Sequence, residues 1–127
     1  MHSFTLERRK IIVTATLKGP NDMYNYRFIL DTGAGSSIID ESVAISLGYH
    51  LYNIPKSETF ITAGGRINAR LVNLHKLTLF DKTIPNFKVG VVRLPMQILV
   101  DGLIGMDFLQ NFQRLQIHFD RQEIEAE

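Results

Sequence analysis

The chain has 127 residues, 45% hydrophobic and 21% charged, which fits one domain over 1–127 with enough apolar sequence for a core. Its formal net charge of +1 provides no field that would attract nucleic acid or a membrane surface, so we expect neither as a partner. The absence of cysteine excludes disulfides, thiolate zinc sites and a cysteine nucleophile.

The first predicted element is a strand, "KIIVTATL" at 10–17, rich in β-branched residues and preceded by Arg8 and Arg9. Its apolar run is too short for a signal peptide or a membrane span, and no small-residue cleavage site follows it. We therefore interpret it as a strand with charged flanks and expect a cytoplasmic protein by default.

The next elements lead to an acidic residue. "KGPND" at 18–22 predicts a turn, and "YNYRFIL" at 24–30 predicts a returning strand that ends at Asp31. "SSIID" at 36–40 is short and apolar. "ESVAISLG" at 41–48 predicts a helix, with Gly48 placed to end it.

A glycine-tipped hairpin is predicted over 57–74, since Gly64 and Gly65 separate two extended runs. After the turn, apolar and polar residues alternate, which indicates one sheltered and one solvated face. The apolar positions are Ile67, Ala69 and Leu71, and the polar positions are Arg66, Asn68 and Arg70. We expect a mobile flap with a polar side; the pattern also fits a plain surface hairpin.

The rest of the chain predicts further short strands, with breaks at Pro85 and Pro95, and one short helix. The predicted strands are 76–80, 86–92, 97–100 and 115–119; the helix is 105–112, and 123–127 is expected to pair back on the last strand. The fold class is therefore mainly β.

The stretch "FILDTGAGSSIID" at 28–40 raises the question of what Asp31 does. A dinucleotide-binding loop would need glycine where Ile38 stands, and the Walker and serine-hydrolase patterns are also missing. The four histidines lack metal-ligand spacing, so we expect no metal and no cofactor. They are His2, His50, His75 and His118.

Acid-protease chemistry needs two carboxylates that share one proton and hold a water between them. It places each Asp on a tight loop whose backbone N–H groups reach the carboxylate, followed by small residues that let two loops approach. The run from Asp31 to Ala34 meets this description. A turn-capping role for Asp31 remains the structural alternative.

"ILDTGAGSSIID" resembles the active-site loop of the retropepsin-like (clan AA) aspartic proteases. "GLIGMDFL" at 102–109 is similar to the second signature of that family, and the hairpin lies between the two in the family's order. The resemblance spans about 10–120. It implies a mainly β, retropepsin-like acid protease fold, a single lobe with a flap hairpin and short helices.

The resemblance also implies site residues. The catalytic residues would be Asp31 as the carboxylate, Thr32 donating its hydroxyl to a partner loop, and Gly33 lending a backbone N–H. Ala34 would line the substrate cleft. Ala63, Gly64 and Gly65 would close over the substrate. Leu103 and Ile104 would pack under the loop and line apolar subsites.

One Asp-Thr-Gly loop per chain predicts a homodimer, since Asp101 is followed directly by Gly102 and offers no second loop. In retroviral enzymes interleaved chain ends hold the dimer, a role that falls here to 115–127. Its last five residues carry three glutamates that would repel a second copy, although Arg8, Arg9 and Lys10 could compensate.

Two departures separate the chain from retroviral members. An Asp–Arg ion pair of those enzymes is replaced by Gly35 and Met106, which leaves a neutral junction and places the sequence nearer cellular and bacterial relatives. Asp107 follows, in the first turn of the predicted helix. We interpret Asp107 as structural, because a carboxylate suits the N–H groups exposed there.

The sequence thus predicts a homodimeric aspartic endopeptidase that hydrolyses polypeptide substrates with a water activated between two Asp31 carboxylates. The alternative is a catalytically silent retropepsin-fold binding or dimerisation module. A phosphate-binding loop at "GAGSS" is a third, weaker hypothesis.

Overall fold

The computed structural model describes residues 1–62 and 65–127. The chain is mainly β, as predicted. The elements are β1 (His2–Ser3), β2 (Thr5–Glu7), β3 (Lys10–Lys18), β4 (Met23–Leu30), β5 (Ile38–Asp40), α1 (Glu41–Ser46), β6 (Glu58–Thr62), β7 (Gly65–Leu79), β8 (Lys82–Val92), β9 (Gly102–Ile104), α2 (Met106–Leu109), β10 (Leu115–His118) and β11 (Glu123–Ala126). Two 3-10 helices lie at Leu51–Asn53 and Met96–Ile98. Within the described ranges, no helix has the length and hydropathy to cross a membrane.

Six strands form a closed ring in the order β3, β4, β9, β5, β8 and β7, and β7 pairs back with β3 to close it. The pairings of β4 with β9 and of β5 with β8 are parallel, and the other pairings in the ring are antiparallel. The ring encloses the core, whose fully buried members include Leu17, Phe28, Ile39, Leu74 and Ile104. Burial of such side chains contributes about 1.5–3 kcal/mol each.

A second sheet brings the two ends of the chain together. β11 lies between β1 and β10 and pairs antiparallel with both, with Ile117 opposite the fully buried Ile124. The prediction that 123–127 pairs back on the preceding strand is therefore confirmed.

The central hairpin corrects two strand predictions. β7 is one continuous strand to Leu79, so the expected separate strand at 76–80 is wrong, and β8 runs through Pro85 instead of starting after it. The turn between them lies at Phe80 and Asp81, whose φ angles are 51° and 64°. Pro85 is tolerated because β5 pairs with β8 at 90–92, well away from the proline, whose missing N–H faces no second strand in the described chain.

The strand expected at 97–100 is also wrong. Residues Met96–Ile98 form a 3-10 helix, in which Ile98 N–H donates to Pro95 O (3.1 Å). Leu99 then adopts φ 57°, so the backbone turns instead of extending, and its carbonyl accepts from the Arg27 guanidinium (3.3 Å).

At the N-terminus, the structure adds two strands, β1 and β2, that the sequence interpretation did not contain. β2 pairs antiparallel with β3, and Arg8 and Arg9 form the turn between them with φ angles of 50° and 64°. The residues interpreted as charged flanks are thus the tip of a tight hairpin, whose type of turn requires positive φ at both positions.

Both helices are shorter than predicted. α1 begins at Glu41, with Asp40 as its cap, and ends at Ser46; Gly48 ends it as expected, with φ 102°. A Cβ at Gly48 would lie 2.7 Å from Asn21 Nδ2, so glycine is required there for space as well as for backbone conformation. α2 covers Met106–Leu109 instead of 105–112.

Candidate active site

Asp31 lies at the first position after β4, on a loop whose first residue is hydrogen-bonded to β9 of the barrel. Its N–H donates to Ile104 O on the neighbouring strand (2.9 Å), and Ala34 N–H donates back to Asp31 O (3.2 Å) to form a tight turn. Gly33 N–H donates to Asp31 Oδ1 (3.0 Å), which fixes the half-buried carboxylate. A Cβ at Gly33 would lie 3.3 Å from that oxygen, so glycine lets the backbone approach it closely.

The neighbours of Asp31 differ in exposure. Thr32 and Gly33 are exposed, while Ala34 is half-buried and its carbonyl accepts from Met106 N–H (2.7 Å). The catalytic-loop candidates therefore lie together on one turn. Thr32 as a residue is exposed at the surface of the single chain.

Leu103 and Ile104 lie beneath this turn, on β9 between β4 and β5. Ile104 is fully buried, whereas Leu103 is half-buried and pairs with Ile29 on one side and Ile38 on the other. The two residues share a strand but differ in accessibility: Ile104 belongs to the core, and Leu103 reaches the surface.

The predicted hairpin is formed by β6 and β7, which pair antiparallel from Glu58 opposite Ala69 to Thr62 opposite Gly65. Gly65 has φ 115°, a conformation that favours glycine. Ala63 and Gly64, the other two candidates at the tip, lie outside the described residues. The expected alternation holds in part, because Ala69 is fully buried but Ile67 is 37% exposed.

α2 packs its N-terminus against the far end of the Asp31 loop. Asp107 N–H donates to Gly35 O (3.1 Å), and the Asp107 carboxylate accepts from Ser37 N–H (2.9 Å) and from the Ser37 hydroxyl (2.7 Å). It also accepts from Phe108 N–H (2.9 Å). A neutral junction at Gly35 and Met106 is therefore bridged by backbone hydrogen bonds and by the carboxylate of the next residue.

Asp101 has a different environment from Asp31. Its carboxylate accepts from Arg27 N–H (2.8 Å), its own N–H donates to Arg27 O (2.8 Å), and its carbonyl accepts from Asp40 N–H (2.8 Å). Asp101 therefore joins the backbone of β4 to the end of β5 through three hydrogen bonds.

Asp40 is the carboxylate near the loop whose pKa is shifted. Burial acts to raise its pKa, but hydrogen bonds from the Ser42 hydroxyl and from the backbone N–H groups of Leu94, Ser42 and Glu41 outweigh burial. The net result is that the pKa of Asp40 lies below its ordinary value, so this carboxylate stays ionised to a lower pH than a free aspartate does.

A wide groove of about 870 Å³ lies beside α1, between the base of the hairpin and the loop after β8. Its apolar walls include Ile38, Ile45, Tyr52, Ile67 and Pro95. Asp31 is not among the described residues that line it, so the candidate carboxylate lies outside this groove of the single chain.

The profile of the aspartyl protease family matches residues 13–108, a stretch that contains the Asp31 loop, the hairpin and α2. The chain belongs to the aspartyl protease family. No curated protein matches the chain.

Solved structures show which fold the chain has. It is similar to a retropepsin-like aspartic protease from Rickettsia conorii, with a TM-score of 0.69 and 21% identity over 91% of this chain and 82% of that one. It is also similar to EIAV protease complexed with an inhibitor (TM-score 0.62, 18% identity, 82% and 88% covered). The retroviral protease-like domain of Ddi1 from Leishmania major gives a TM-score of 0.59 at 19% identity, with 93% and 88% covered. The fold is therefore that of the retropepsin-like aspartic proteases.

Two residues near the Asp31 loop were not singled out from the sequence. Ser37, 1% exposed, joins the loop to α2, and Phe60 from β6 packs over Gly90 beside Ile38. A polar residue directly before a buried strand was a usable signal for Ser37, because a buried hydroxyl needs partners. The position of Phe60 depends on how the hairpin folds over the barrel, which periodicity does not report.

Proposed function

We propose that this chain is an aspartic endopeptidase that works as a homodimer and hydrolyses polypeptides with a water held between two Asp31 carboxylates. The observation that supports it most is the single Asp-Thr-Gly turn, whose carboxylate is fixed by Gly33 N–H at 3.0 Å while Thr32 and Gly33 remain exposed. Such a turn is half of the pair that the chemistry needs, and a second copy would supply the other half.

The proposed reaction uses the two Asp31 carboxyl groups in different protonation states. Like charges at close range do not both ionise, so the pair holds one proton between them. The ionised Asp31 takes a proton from the water, which attacks the scissile carbonyl, while the protonated Asp31 donates to the carbonyl oxygen. The Asp31 that took the water's proton then gives it to the leaving amine as the C–N bond breaks, and a hydroxyl of the tetrahedral intermediate gives its proton to the other Asp31, which restores a pair with one proton.

The other candidate residues have supporting roles in this proposal. Thr32 would donate across the two-fold axis to the partner loop, and Gly33 would hold the carboxylate. Ala34 and Leu103 would line the cleft, with Ile104 packed beneath them. Ala63, Gly64 and Gly65 would close over the substrate and exclude water as the tip of a flap.

The second sheet bears on how two copies meet. β11 already has a partner on each side within its own chain, which differs from interleaved chain ends and leaves β1 and β10 as the outer strands. Two of the terminal glutamates also have cations nearby in the same chain. Arg114 Nη2 lies 2.6 Å from Glu127 Oε1, and Arg121 Nε lies 3.9 Å from Glu123 Oε1. These pairs reduce the repulsion that the sequence suggested, without the N-terminal basic residues.

Digestion of a mixture of denatured-protein peptides tests the proposal. Wild type, Asp31→Asn and the matched control Asp120→Asn, whose side chain lies on an exposed turn, are incubated from acid to neutral pH at high concentration. We expect new cleavages, read by mass spectrometry, with wild type and Asp120→Asn but not with Asp31→Asn. Equal cleavage by all three would point to a contaminating protease. A demonstrated dimer that cleaves nothing would favour the silent binding module.

A further inference from the structure

The Asp31 loop is anchored at its far end by a buried polar pair. Ser37 is 1% exposed, its hydroxyl donates to Asp107 Oδ1 (2.7 Å), and its N–H donates to Asp107 Oδ2 (2.9 Å). Gly105 N–H donates to the same hydroxyl oxygen (2.9 Å), which directs the hydroxyl proton towards Asp107. Each polar group of Ser37 that faces α2 is therefore paired, a condition in which a buried polar network makes a structure rigid.

We infer that Asp107 is a positioning residue, which acts through Ser37 to preset the Asp31 turn in the single chain. Its effect on catalysis rests on the proposed function. Its effect on the loop does not, because all the contacts lie within one chain.

Without the Asp107 carboxylate, backbone hydrogen bonds would still connect the Asp31 loop to α2. Backbone hydrogen bonds from Met106 N–H to Ala34 O (2.7 Å) and from Asp107 N–H to Gly35 O (3.1 Å) would remain. Both are made by a stretch that contains two glycines and is largely exposed, so a large conformational entropy opposes its order. The two bonds from Ser37 to Asp107 fix the end of this stretch directly before β5.

The close contact between α2 and the loop makes the position of the loop sensitive to the pair. A Cβ at Gly105 would lie 2.7 Å from Ala34 O, so the helix N-terminus and the loop backbone already meet without spare room. A loop that is preset holds the Asp31 carboxylate in place before the reaction begins, whereas a loop that must still be ordered slows the reaction. Asp107 thus contributes pre-organisation, while Asp31 would perform the chemistry.

Amide exchange measured by NMR tests this inference on wild type, Asp107→Ala, Ser37→Ala and the double variant. The informative amides are those of Gly33 and Ala34, which bond to Asp31 and do not touch Asp107. We expect their exchange to accelerate about tenfold or more in Asp107→Ala. The double variant should add little to the larger single effect, because both residues act through the same bonds.

Asn111→Ala is the matched control, since its side chain donates to Asp107 O (3.2 Å) and Phe108 O (3.0 Å) at the other end of α2. It should lower the melting temperature but leave Gly33 and Ala34 exchange unchanged. Asp107→Asn keeps one carbonyl oxygen for the Ser37 hydroxyl and should give exchange between wild type and Asp107→Ala.

Where wild type cleaves peptides, Asp107→Ala should lower kcat about tenfold or more and leave KM nearly unchanged, because substrate contacts remain while the carboxylate is misplaced. Gly33 and Ala34 amides that exchange as in wild type in Asp107→Ala would overturn the inference. A wild type without turnover would contradict the proposed function alone, since the exchange experiment still decides whether Asp107 presets the loop.

Discussion

Phe60 occupies the space that a side chain at position 90 would need. A Cβ at Gly90 would lie 2.5 Å from Phe60 Cε2 and 3.3 Å from Ile38 Cγ2. Gly90 lies on β8 opposite Ile38 of β5, the strand that directly follows the Asp31 loop. Because β7 continues from the hairpin into the barrel, the ring of Phe60 adds a side-chain contact between β6 and β8 next to the candidate site.

Gly90→Ala should displace this ring, because the added methyl has no room between Phe60 and Ile38. Overpacking of this kind costs about 1–3 kcal/mol in the free energy of unfolding, measured by urea denaturation. Gly35→Ala is the matched control, since a Cβ there meets no heavy atom within 4 Å. Equal stability of Gly90→Ala and Gly35→Ala would show that the ring is not held on the glycine.

Asp40→Ala should destabilise the protein by about 1–2 kcal/mol at neutral pH, because α1 loses its capping carboxylate. The same carboxylate accepts from Leu94 N–H (2.8 Å), so the loop after β8 loses an anchor as well. Urea denaturation measures the change. An unchanged urea midpoint in Asp40→Ala would contradict the role of Asp40 as the cap of α1 and as the anchor of the loop after β8.

The depressed pKa of Asp40 gives its contribution a defined pH dependence. Its pKa in the folded state lies below the ordinary 3.8, so the unfolded chain binds its proton first as the pH falls. The stabilisation is complete above the unfolded-state pKa and is lost as the pH drops through the folded-state pKa. The stability of wild type relative to Asp40→Asn, which keeps the cap without the charge, should therefore decrease below pH 3.8.

Asp101→Ala should lower the free energy of unfolding and leave peptide cleavage intact. Its carboxylate accepts from Arg27 N–H (2.8 Å), and loss of this exposed hydrogen bond should lower the free energy of unfolding by about 0.5–1.5 kcal/mol. Peptide cleavage per folded molecule should stay close to that of wild type. Loss of cleavage with unchanged stability would make Asp101 a second functional carboxylate and contradict its structural assignment.

The elements that the sequence predicted well are those with strong local signals. The strand ending at Asp31, the end of α1 at Gly48 and the pairing of β10 with β11 all follow from β-branched runs, glycine and alternation. The Asp31 turn was recognisable for the same reason, because its geometry needs small residues in a fixed order. Retropepsin-like signatures in the right order then identified the fold.

The errors occur where tertiary pairing decides the structure. Pro85 normally interrupts a strand, but here it lies on a part of β8 without a second partner among the described strands. Leu99 lies in an apolar run that predicts a strand, yet it turns the chain with φ 57° and bonds to Arg27. Ser37 and Asp107 are seventy residues apart, so no local pattern joins them.

Dilution tests whether cleavage needs association. If each active site contains Asp31 from two chains, specific activity should fall as the protein is diluted below its dimer dissociation constant. Assays over a wide protein concentration range, with analytical ultracentrifugation at the same concentrations, measure both quantities. Constant specific activity across a transition from dimer to monomer would show that one chain suffices.

The most direct test of the central claim mixes wild type with Asp31→Asn. The two are unfolded together, refolded in equal amounts and assayed for peptide cleavage. Random pairing gives about a quarter wild-type homodimers, so the activity should be about a quarter of that of the same total amount of wild type. About half would mean that each chain acts alone with its own Asp31, and would contradict a catalytic pair shared between two chains.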